Sequence, residues 1–231
     1  MMYSKKMLAM AAIALVSMSL FTSCKDDDDD SATPAATGRL MAIHASPDAP
    51  GVDLLLDNAK INTDPVEFLD NTNYLTVNAG TRNVKINAAG TTTTVLNADI
   101  TVASGKSYSL FAVDSLSNLG AVLIEDNLAT PASGKAHVRF IHLSPNAPAV
   151  DVAVDGGAVV FGDYTFKEAS AFTPLDAGTY DLEVRVAGTT TVALDLDPIT
   201  LTAGKIYTVY AKGFLGGTAP QDLGAAIIVN N

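Results

Sequence analysis

The chain has 231 residues, a formal net charge of −11 at pH 7, one cysteine and no tryptophan. An excess of carboxylates repels phosphate backbones and anionic lipid headgroups, so the charge argues against nucleic-acid binding. A single cysteine excludes a disulfide within the chain, and the fold must therefore be stabilised by packing alone.

The N-terminal segment, residues 1–23, has the pattern of a secretory signal peptide. Lys5 and Lys6 form a short positive region, and residues 7–21 form an apolar run that is too short to cross a bilayer as a helix. We therefore expect this segment to direct export and to be removed from the mature chain.

The lone cysteine, Cys24, ends the segment Leu20-Phe21-Thr22-Ser23-Cys24. This segment resembles the lipobox of bacterial lipoproteins, although Phe21 stands where that pattern prefers an aliphatic residue. The resemblance implies that Cys24 carries fatty-acyl chains of the palmitate type and that the protein is an outer-membrane lipoprotein, anchored in the membrane by its N-terminal lipid. The alternative is a secretory or membrane-anchor segment with an incidental cysteine.

Residues 24–37 are predicted to form a lipidated acidic linker. Asp26–Asp30 places five carboxylates side by side, which repel one another and stay solvated. The small Ser, Thr, Pro and Ala residues that follow are typical of a tether. A lysine and an acidic run beside a lipidated cysteine also resemble the signal that sends some Gram-negative lipoproteins to the cell surface. The alternative is an acidic spacer without a targeting role.

The rest of the chain contains an internal repeat. Residues 43–53 (IHASPDAPGVD) match residues 141–151 (IHLSPNAPAVD), and similar spacing continues through later Ala-Gly-Thr and Gly-Lys segments. A period this long indicates duplicated domains rather than a solenoid. We predict a first copy over residues 38–126, a linker over residues 127–135 and a second copy over residues 136–231.

Each copy is predicted to be β-structure throughout. In residues 179–186, Tyr, Leu and Val alternate with charged residues, which is the two-residue period of a half-buried strand. Turn signals recur at short spacing, and no capped apolar pattern of helix length occurs. The pattern predicts two tandem Greek-key β-sandwiches, immunoglobulin-like or transthyretin-like in strand order. Because each domain is small, we expect contact between the copies to help bury apolar surface.

The repeated I-H-x-S-P-x-A-P-x-V-D segment, with D-A-G-T-Y at 176–180 and T-A-G-K-x-Y at 202–207, resembles an uncharacterised family known only as a domain of unknown function. That family occurs in secreted and envelope proteins of bacteria, often as two copies, and the resemblance covers nearly all of residues 38–231. The first copy departs from the second in having Met41 at the position of Arg139. The resemblance implies a fold and an envelope location, and it transfers no catalytic residue.

The repeated motif could form a metal or catalytic cluster of His44, Asp48, Asp53 and Asp57, mirrored in the second copy by His142, Asn146, Asp151 and Asp155. Strand alternation, however, predicts that Asp151 and Asp155 both point outward at positions about 13 Å apart, too far to share one cation. His142 falls on the core face of its strand, where its ring can bond the backbone of the Ser-Pro bend. We therefore predict structural roles for the repeated polar residues His44, Ser46, Asp53, His142, Ser144 and Asp151.

No other constellation in the sequence indicates an enzyme. Ser46 close to His44 imitates a catalytic dyad, but no G-x-S-x-G elbow surrounds it. The segment Gly105-Lys106-Ser107 lacks the first glycine of a phosphate loop, and no zinc or EF-hand spacing occurs. We therefore predict no catalytic residue, no metal site and no cofactor.

Residues 212–222 of the second copy form a loop that is five residues longer than its counterpart in the first copy. Phe214 and Leu215 lie between glycines there, and an apolar pair on an adaptable backbone suits contact with a partner. The alternative is that Phe214 folds back and caps the sandwich.

The composition and architecture together predict a non-enzymatic envelope lipoprotein that acts as a protein-interaction or structural module at the cell surface. The alternative is an adhesive module that binds a glycan or a peptide, and a metal-dependent hydrolase ranks third. The absence of tryptophan weakens a sugar-stacking platform. The expected partners are the membrane, through the lipid anchor, and an unidentified envelope protein or glycan.

Overall fold

A computed structural model describes residues 35–231. The predicted signal peptide, Cys24 and the acidic run of the linker lie outside the described residues. Within residues 35–231 the chain forms eighteen β-strands and one 3-10 turn at Leu116–Asn118, which confirms the all-β prediction. No helix in this part of the chain is long and apolar enough to cross a membrane.

The first copy contains eight strands in two four-stranded sheets. The strands are β1 (Thr37–His44), β2 (Val52–Leu56), β3 (Ala59–Lys60), β4 (Leu75–Asn78), β5 (Gly80–Ala88), β6 (Thr94–Val102), β7 (Ser107–Val113) and β8 (Gly120–Glu125). One sheet has the order β4-β1-β7-β8 and the other has the order β3-β2-β5-β6. Strands β1 and β7 are parallel, and the other neighbours are antiparallel.

This order separates the two sandwich types that the sequence left open. Strand β4 returns to lie beside β1 after β2 and β3 have crossed to the other sheet, which is a Greek-key connection. In an immunoglobulin fold the first strand shares a sheet with the second, whereas here β1 pairs with β4 and β7. The immunoglobulin-like alternative is therefore wrong, and the transthyretin-like one remains.

The second copy repeats this plan with ten strands. They are β9 (Lys135–His142), β10 (Val150–Val154), β11 (Val159–Tyr164), β12 (Thr173–Asp176), β13 (Gly178–Tyr180), β14 (Leu182–Val186), β15 (Val192–Asp195), β16 (Ile199–Leu201), β17 (Ile206–Lys212) and β18 (Gly224–Val229). The sheets are β12-β9-β17-β18, β11-β10-β14-β15 and the pair β13-β16. The first copy has the continuous strands β5 and β6 where the second has β13 with β14 and β15 with β16.

The two copies pack against each other through the sheets that contain β7 and β17. Every residue of β7 is buried, because different layers cover its two faces. Leu110 faces the core of its own sandwich, whereas Phe111 faces the second copy. A strand covered on both faces loses the polar-apolar alternation of a surface strand. The apolar cluster between the copies contains Met41, Ile43, Ala45, Phe111, Val113, Ile141, Leu143, Tyr210 and Ile228.

A buried polar cluster also crosses this interface. Arg139 of β9 reaches Asp126, just after β8, with 2.7 Å between Nη2 and Oδ1, and both side chains are buried. The Asp126 carboxylate accepts hydrogen bonds from the hydroxyls of Tyr74 at 2.6 Å and Ser109 at 2.8 Å. Met41 occupies the position of Arg139 in the first copy, so only the second copy supplies an arginine here. The ion pair therefore joins a cation of the second copy to a carboxylate of the first.

Candidate functional site

The two motif histidines are fully buried at the ends of β1 and β9. His44 Nε2 lies 2.9 Å from the Pro50 carbonyl oxygen, and Nδ1 accepts a hydrogen bond from the Ser46 amide at 3.3 Å. The second copy repeats these contacts around His142 at 3.0 and 3.3 Å. Because a carbonyl oxygen can only accept, the proton lies on Nε2 of a neutral ring. Burial lowers the pKa of both rings and so favours that neutral form.

The motif serines are bonded to the backbone of a distant turn. Ser46 Oγ donates to the Asp114 carbonyl at 2.6 Å, and Ser144 Oγ donates to the Gly213 carbonyl at 2.7 Å. Asp114 and Gly213 have φ values of 77° and 75°, in the left-handed region. Each hydroxyl proton is therefore directed to a turn carbonyl and not to the neighbouring imidazole, so the motif does not form a nucleophile–base pair.

The motif aspartates are buried by loops: Asp151 lies on the sheet face away from the core, as strand alternation predicts, but a loop covers it. Asp53 and Asp151 are only 5% and 6% exposed. A hairpin turn folds over each carboxylate, and the amides of Gly90 and Gly188 donate to Asp53 and Asp151 at 3.0 and 2.9 Å. Lys60 also contacts Asp53 at 2.8 Å, and this hydrogen bond lowers the pKa of Asp53. Both aspartates thus hold loops in place.

The acidic residues of the hypothesised cluster, Asp48, Asp53 and Asp57, do not converge on His44. Asp48 accepts a hydrogen bond from the Leu116 amide at 2.7 Å, and Asp57 pairs with Arg82 at 3.0 Å. Within residues 35–231, no group of three or more His, Cys, Asp or Glu side chains is placed to hold a metal ion. The repeated motif therefore joins loops and turns in both copies.

The predicted contact loop is held against the Ser-Pro bend of its own copy. The Leu215 amide donates to Asn146 Oδ1 at 2.8 Å, and Asn146 Nδ2 donates to the Leu215 carbonyl at 3.0 Å. Leu215 is 47% exposed, whereas Phe214 is half-buried. The apolar pair is therefore divided, with Leu215 facing solvent and Phe214 partly covered.

A groove with a volume of about 730 Å³ opens between the two sheets of the second copy. Strand β18 forms one wall, and β15, β16 and the loop between them form the other, while Tyr207 and Val209 of β17 form the floor. Asp195 and Asp197 also belong to the second wall, where they alternate with Leu194 and Leu196, which pack toward the core. The walls carry the aliphatic side chains of Leu194, Leu196, Ile199, Ile227 and Val229.

The groove lies where the second copy interrupts a strand. The segment Leu196-Asp197-Pro198 separates β15 from β16, and Pro198 has no amide hydrogen to donate to a sheet ladder. The second copy also has one more residue between Gly188 and Ile199 than the first copy has between Gly90 and Ile100. An extra residue bends a strand away from its regular pairing. In the first copy the equivalent strand, β6, is continuous and contacts β8.

The side chains on β8 and β18 differ accordingly. Leu123 of β8 packs against the core of the first copy, and Glu125 forms an ion pair with Lys106 at 2.7 Å. Their counterparts Ile227 and Val229 in β18 remain 45% and 49% exposed. The edge of the first copy is therefore covered and charged, and that of the second is open and apolar.

Sequence reasoning did not predict the groove, because Asp197-Pro198 has the pattern of an ordinary turn between strands. Two signals in the sequence could have indicated it. One is a proline at a position that the first copy fills with a continuous strand, and the other is the uncharged run Gly224–Val229, whose counterpart ends in Glu125.

Comparison with solved structures finds distant likenesses. A carbohydrate-binding module of family CBM26 from Eubacterium rectale Amy13K, solved with maltoheptaose, has 10% identity and a TM-score of 0.29, over 83% of this chain and 95% of that chain. The Bacillus anthracis TIE protein has 15% identity and a TM-score of 0.24, over 84% and 43%. A leucine-rich repeat protein from Bacteroides thetaiotaomicron has 14% identity and a TM-score of 0.20, over 83% and 27%. At these scores the likenesses carry no argument about function.

No curated protein gives a significant match to the sequence. The profile of one family, described as a domain of unknown function (DUF4397), matches residues 38–153 and 144–230. The two matches together cover most of the chain and include the repeated motif of both copies. The description of the family names no activity. The chain therefore belongs to the DUF4397 family of domains of unknown function.

Proposed function

We propose that the protein is a non-enzymatic interaction module of the bacterial cell envelope, tethered by a lipid on Cys24, that binds a protein partner in the groove of the second copy. The observation that carries the proposal is the groove itself, bounded by β16 and β18 and lined by exposed aliphatic side chains. Exposed apolar surface of this kind is typical of interaction sites.

A non-enzymatic role is supported by the contacts of the residues that could otherwise do chemistry. The Ser46 and Ser144 hydroxyls donate to turn carbonyls, and the His44 and His142 rings are bonded to proline carbonyls. Catalysis needs a nucleophile whose proton a neighbouring base can take. In both copies these groups are already paired with backbone atoms.

A protein partner is favoured over a glycan by the chemistry of the groove. The one aromatic lining residue, Tyr207, is buried, and its hydroxyl accepts a hydrogen bond from the Thr202 amide at 3.0 Å. It therefore offers no open ring face on which a sugar could stack. Aliphatic walls suit the side chains of a polypeptide instead.

Site-specific photo-crosslinking in the native envelope tests this function. A photoreactive residue at Val229 is expected to crosslink one envelope protein, whereas the same residue at Glu125, the matched position of the first copy, is not. A third variant at Leu215 tests the contact loop. Equal products from Val229 and Glu125, or products from Leu215 alone, would show that the groove is not the binding site.

The enzymatic alternative has its own test. Purified protein is expected to hydrolyse none of a panel of glycosidase, esterase and peptidase substrates. An activity that disappears on His44→Ala or His142→Ala would contradict the proposal.

A further inference from the structure

Strand β18 has an unpaired edge that faces the groove. The Asn230 amide donates to the Ile206 carbonyl at 2.8 Å, which fixes the hydrogen-bonded pairs of the ladder between β17 and β18. Because antiparallel ladders alternate, the peptide groups of Ala225, Ile227 and Val229 point away from β17. Their N–H and C=O groups therefore form a row to which another strand can pair.

This edge lacks the features that usually protect a sheet edge. Folded proteins place charges, prolines or bulges on edge strands to prevent pairing with other chains. The matched strand β8 ends in Glu125, which is paired with Lys106. Residues Gly224–Val229 of β18 contain no charge and no proline. The unprotected edge and the groove thus occur together in the same copy.

The charges of the groove indicate what kind of strand would fit. Asp195 and Asp197 are exposed beside the groove, where they alternate with the core-facing Leu194 and Leu196, and neither forms an ion pair within residues 35–231. A segment with basic side chains would neutralise these carboxylates. A second copy of this chain would bring another uncharged β18 to the groove and leave both carboxylates unpaired.

We propose that the groove takes an extended polypeptide segment with alternating apolar and basic side chains, which adds to β18 as a fifth strand of the sheet β12-β9-β17-β18. This inference rests on the proposed function and names the partner chemistry of the same site. The free edge from Ala225 to Val229 is about 13 Å long, so it pairs with about five residues of the segment. When a peptide adds to a sheet as an extra strand, backbone hydrogen bonds provide the affinity. Pockets for every second side chain provide the specificity.

The test is binding of a synthetic peptide to the full-length protein in detergent, measured by fluorescence anisotropy. The probe is a peptide of about nine residues in which threonine fills every second position and valine and arginine alternate at the others. Ile227→Pro removes an amide hydrogen that the ladder with β17 does not use, so the sheet can remain intact. We expect this variant to weaken binding at least about tenfold.

Three controls accompany this variant. Leu123→Pro makes the same backbone change at the matched position of β8; because Leu123 also packs against the core, circular dichroism first checks that this variant is folded, and it is then expected to leave the affinity unchanged. A peptide N-methylated at the residues that pair with β18 is expected to lose binding to the wild-type protein, and this readout does not depend on the folding of any variant. Asp195→Asn with Asp197→Asn is expected to weaken binding and to flatten its dependence on salt.

Several outcomes would overturn the inference. They are equal binding of the methylated and unmethylated peptides, equal binding of a peptide with glutamate in place of arginine, and a dimer of the protein that Ile227→Pro dissolves. A crosslink from Val229 to an envelope protein that survives Ile227→Pro would also overturn strand addition, while the proposed function would stand. The absence of any crosslink would remove the proposed function as well.

Discussion

Phe111 and Tyr210 occupy equivalent positions in the two copies and meet edge to face across their interface, with ring centroids 5.9 Å apart and planes inclined at 69°. In an arrangement with twofold symmetry, a residue contacts its own counterpart only near the axis. The apolar cluster between the copies also draws on equivalent positions of both, such as Ile43 and Ile141, so we infer a pseudo-twofold relation with this pair near its axis.

Tyr210→Phe is expected to stabilise the protein. The Tyr210 hydroxyl is buried without a hydrogen-bond partner among residues 35–231, and burial raises its pKa above the usual range. Leaving a buried hydroxyl unpaired is unfavourable, so its removal should raise the free energy of unfolding by about 1 kcal/mol. Urea denaturation measures this change. The reverse substitution Phe111→Tyr is the control and should destabilise, and a loss of stability in Tyr210→Phe would mean that the hydroxyl has a partner.

Arg139→Met, which installs the residue of the first copy, is expected to lower the free energy of unfolding by about 3–5 kcal/mol, because it leaves Asp126 buried without its cation. Adding Asp126→Asn, which copies Asn230 at the matched position, should recover most of that loss. A double-mutant cycle from urea denaturation gives the coupling energy. If the losses of unfolding free energy in Arg139→Met and Asp126→Asn simply add in the double variant, the two residues are not coupled.

Stability is expected to fall in acid because of His44 and His142. Burial lowers the pKa of both rings from the ordinary value of 6.5, so the unfolded chain takes up protons that the folded chain does not. The histidine contribution is fully present above pH 6.5 and is lost as the pH falls below it toward the folded-state pKa. Urea denaturation at a series of pH values in this range measures how the free energy of unfolding changes with pH.

His142→Ala is the matched variant for this pH dependence. It should lower the free energy of unfolding by about 1–3 kcal/mol near neutral pH, because it orphans the backbone groups that the ring pairs. It should also reduce the loss of unfolding free energy as the pH falls, because one of the two buried rings is removed. Neither zinc nor calcium should raise the melting temperature. A metal-dependent rise that His142→Ala abolishes would show that the ring is a ligand.

Cys24→Ser is expected to release the protein from the membrane fraction or to leave it uncleaved, and to abolish labelling by a fatty-acid analogue. Replacing Asp26–Asp30 by alanines should reduce access of external protease while membrane association persists. Membrane association of Cys24→Ser that equals the wild type, with no label on the wild type, would contradict lipidation. Unchanged protease access would show that the acidic run acts only as a spacer.

Much of the fold could be predicted from the sequence because its signals are local. The alternation in residues 179–186 and the turns around it depend only on neighbouring residues, and they predict an all-β sandwich. The burial of Asp53 and Asp151 could not be predicted in the same way. Alternation gives the face of the sheet, but it does not show that the turns at Gly90 and Gly188 close over that face.

The candidate site was harder to predict because it depends on contacts between distant segments. The difference between Met41 and Arg139 is visible in the sequence, but its meaning requires the position of Asp126 across the interface. The groove likewise arises from an interruption at Pro198 and an uncovered strand that begins at Gly224. Neither segment indicates a site by itself.

The arrangement of the two copies also bears on how many partner segments one molecule could bind. A true homodimer of one such domain would present two identical edges, and a partner with two segments could bridge them and gain avidity. Here the fused pair combines a covered edge at β8 with an open one at β18. Under the proposed function, each chain would offer a single groove to a partner, and a multivalent array would depend on how densely lipid-anchored chains are packed.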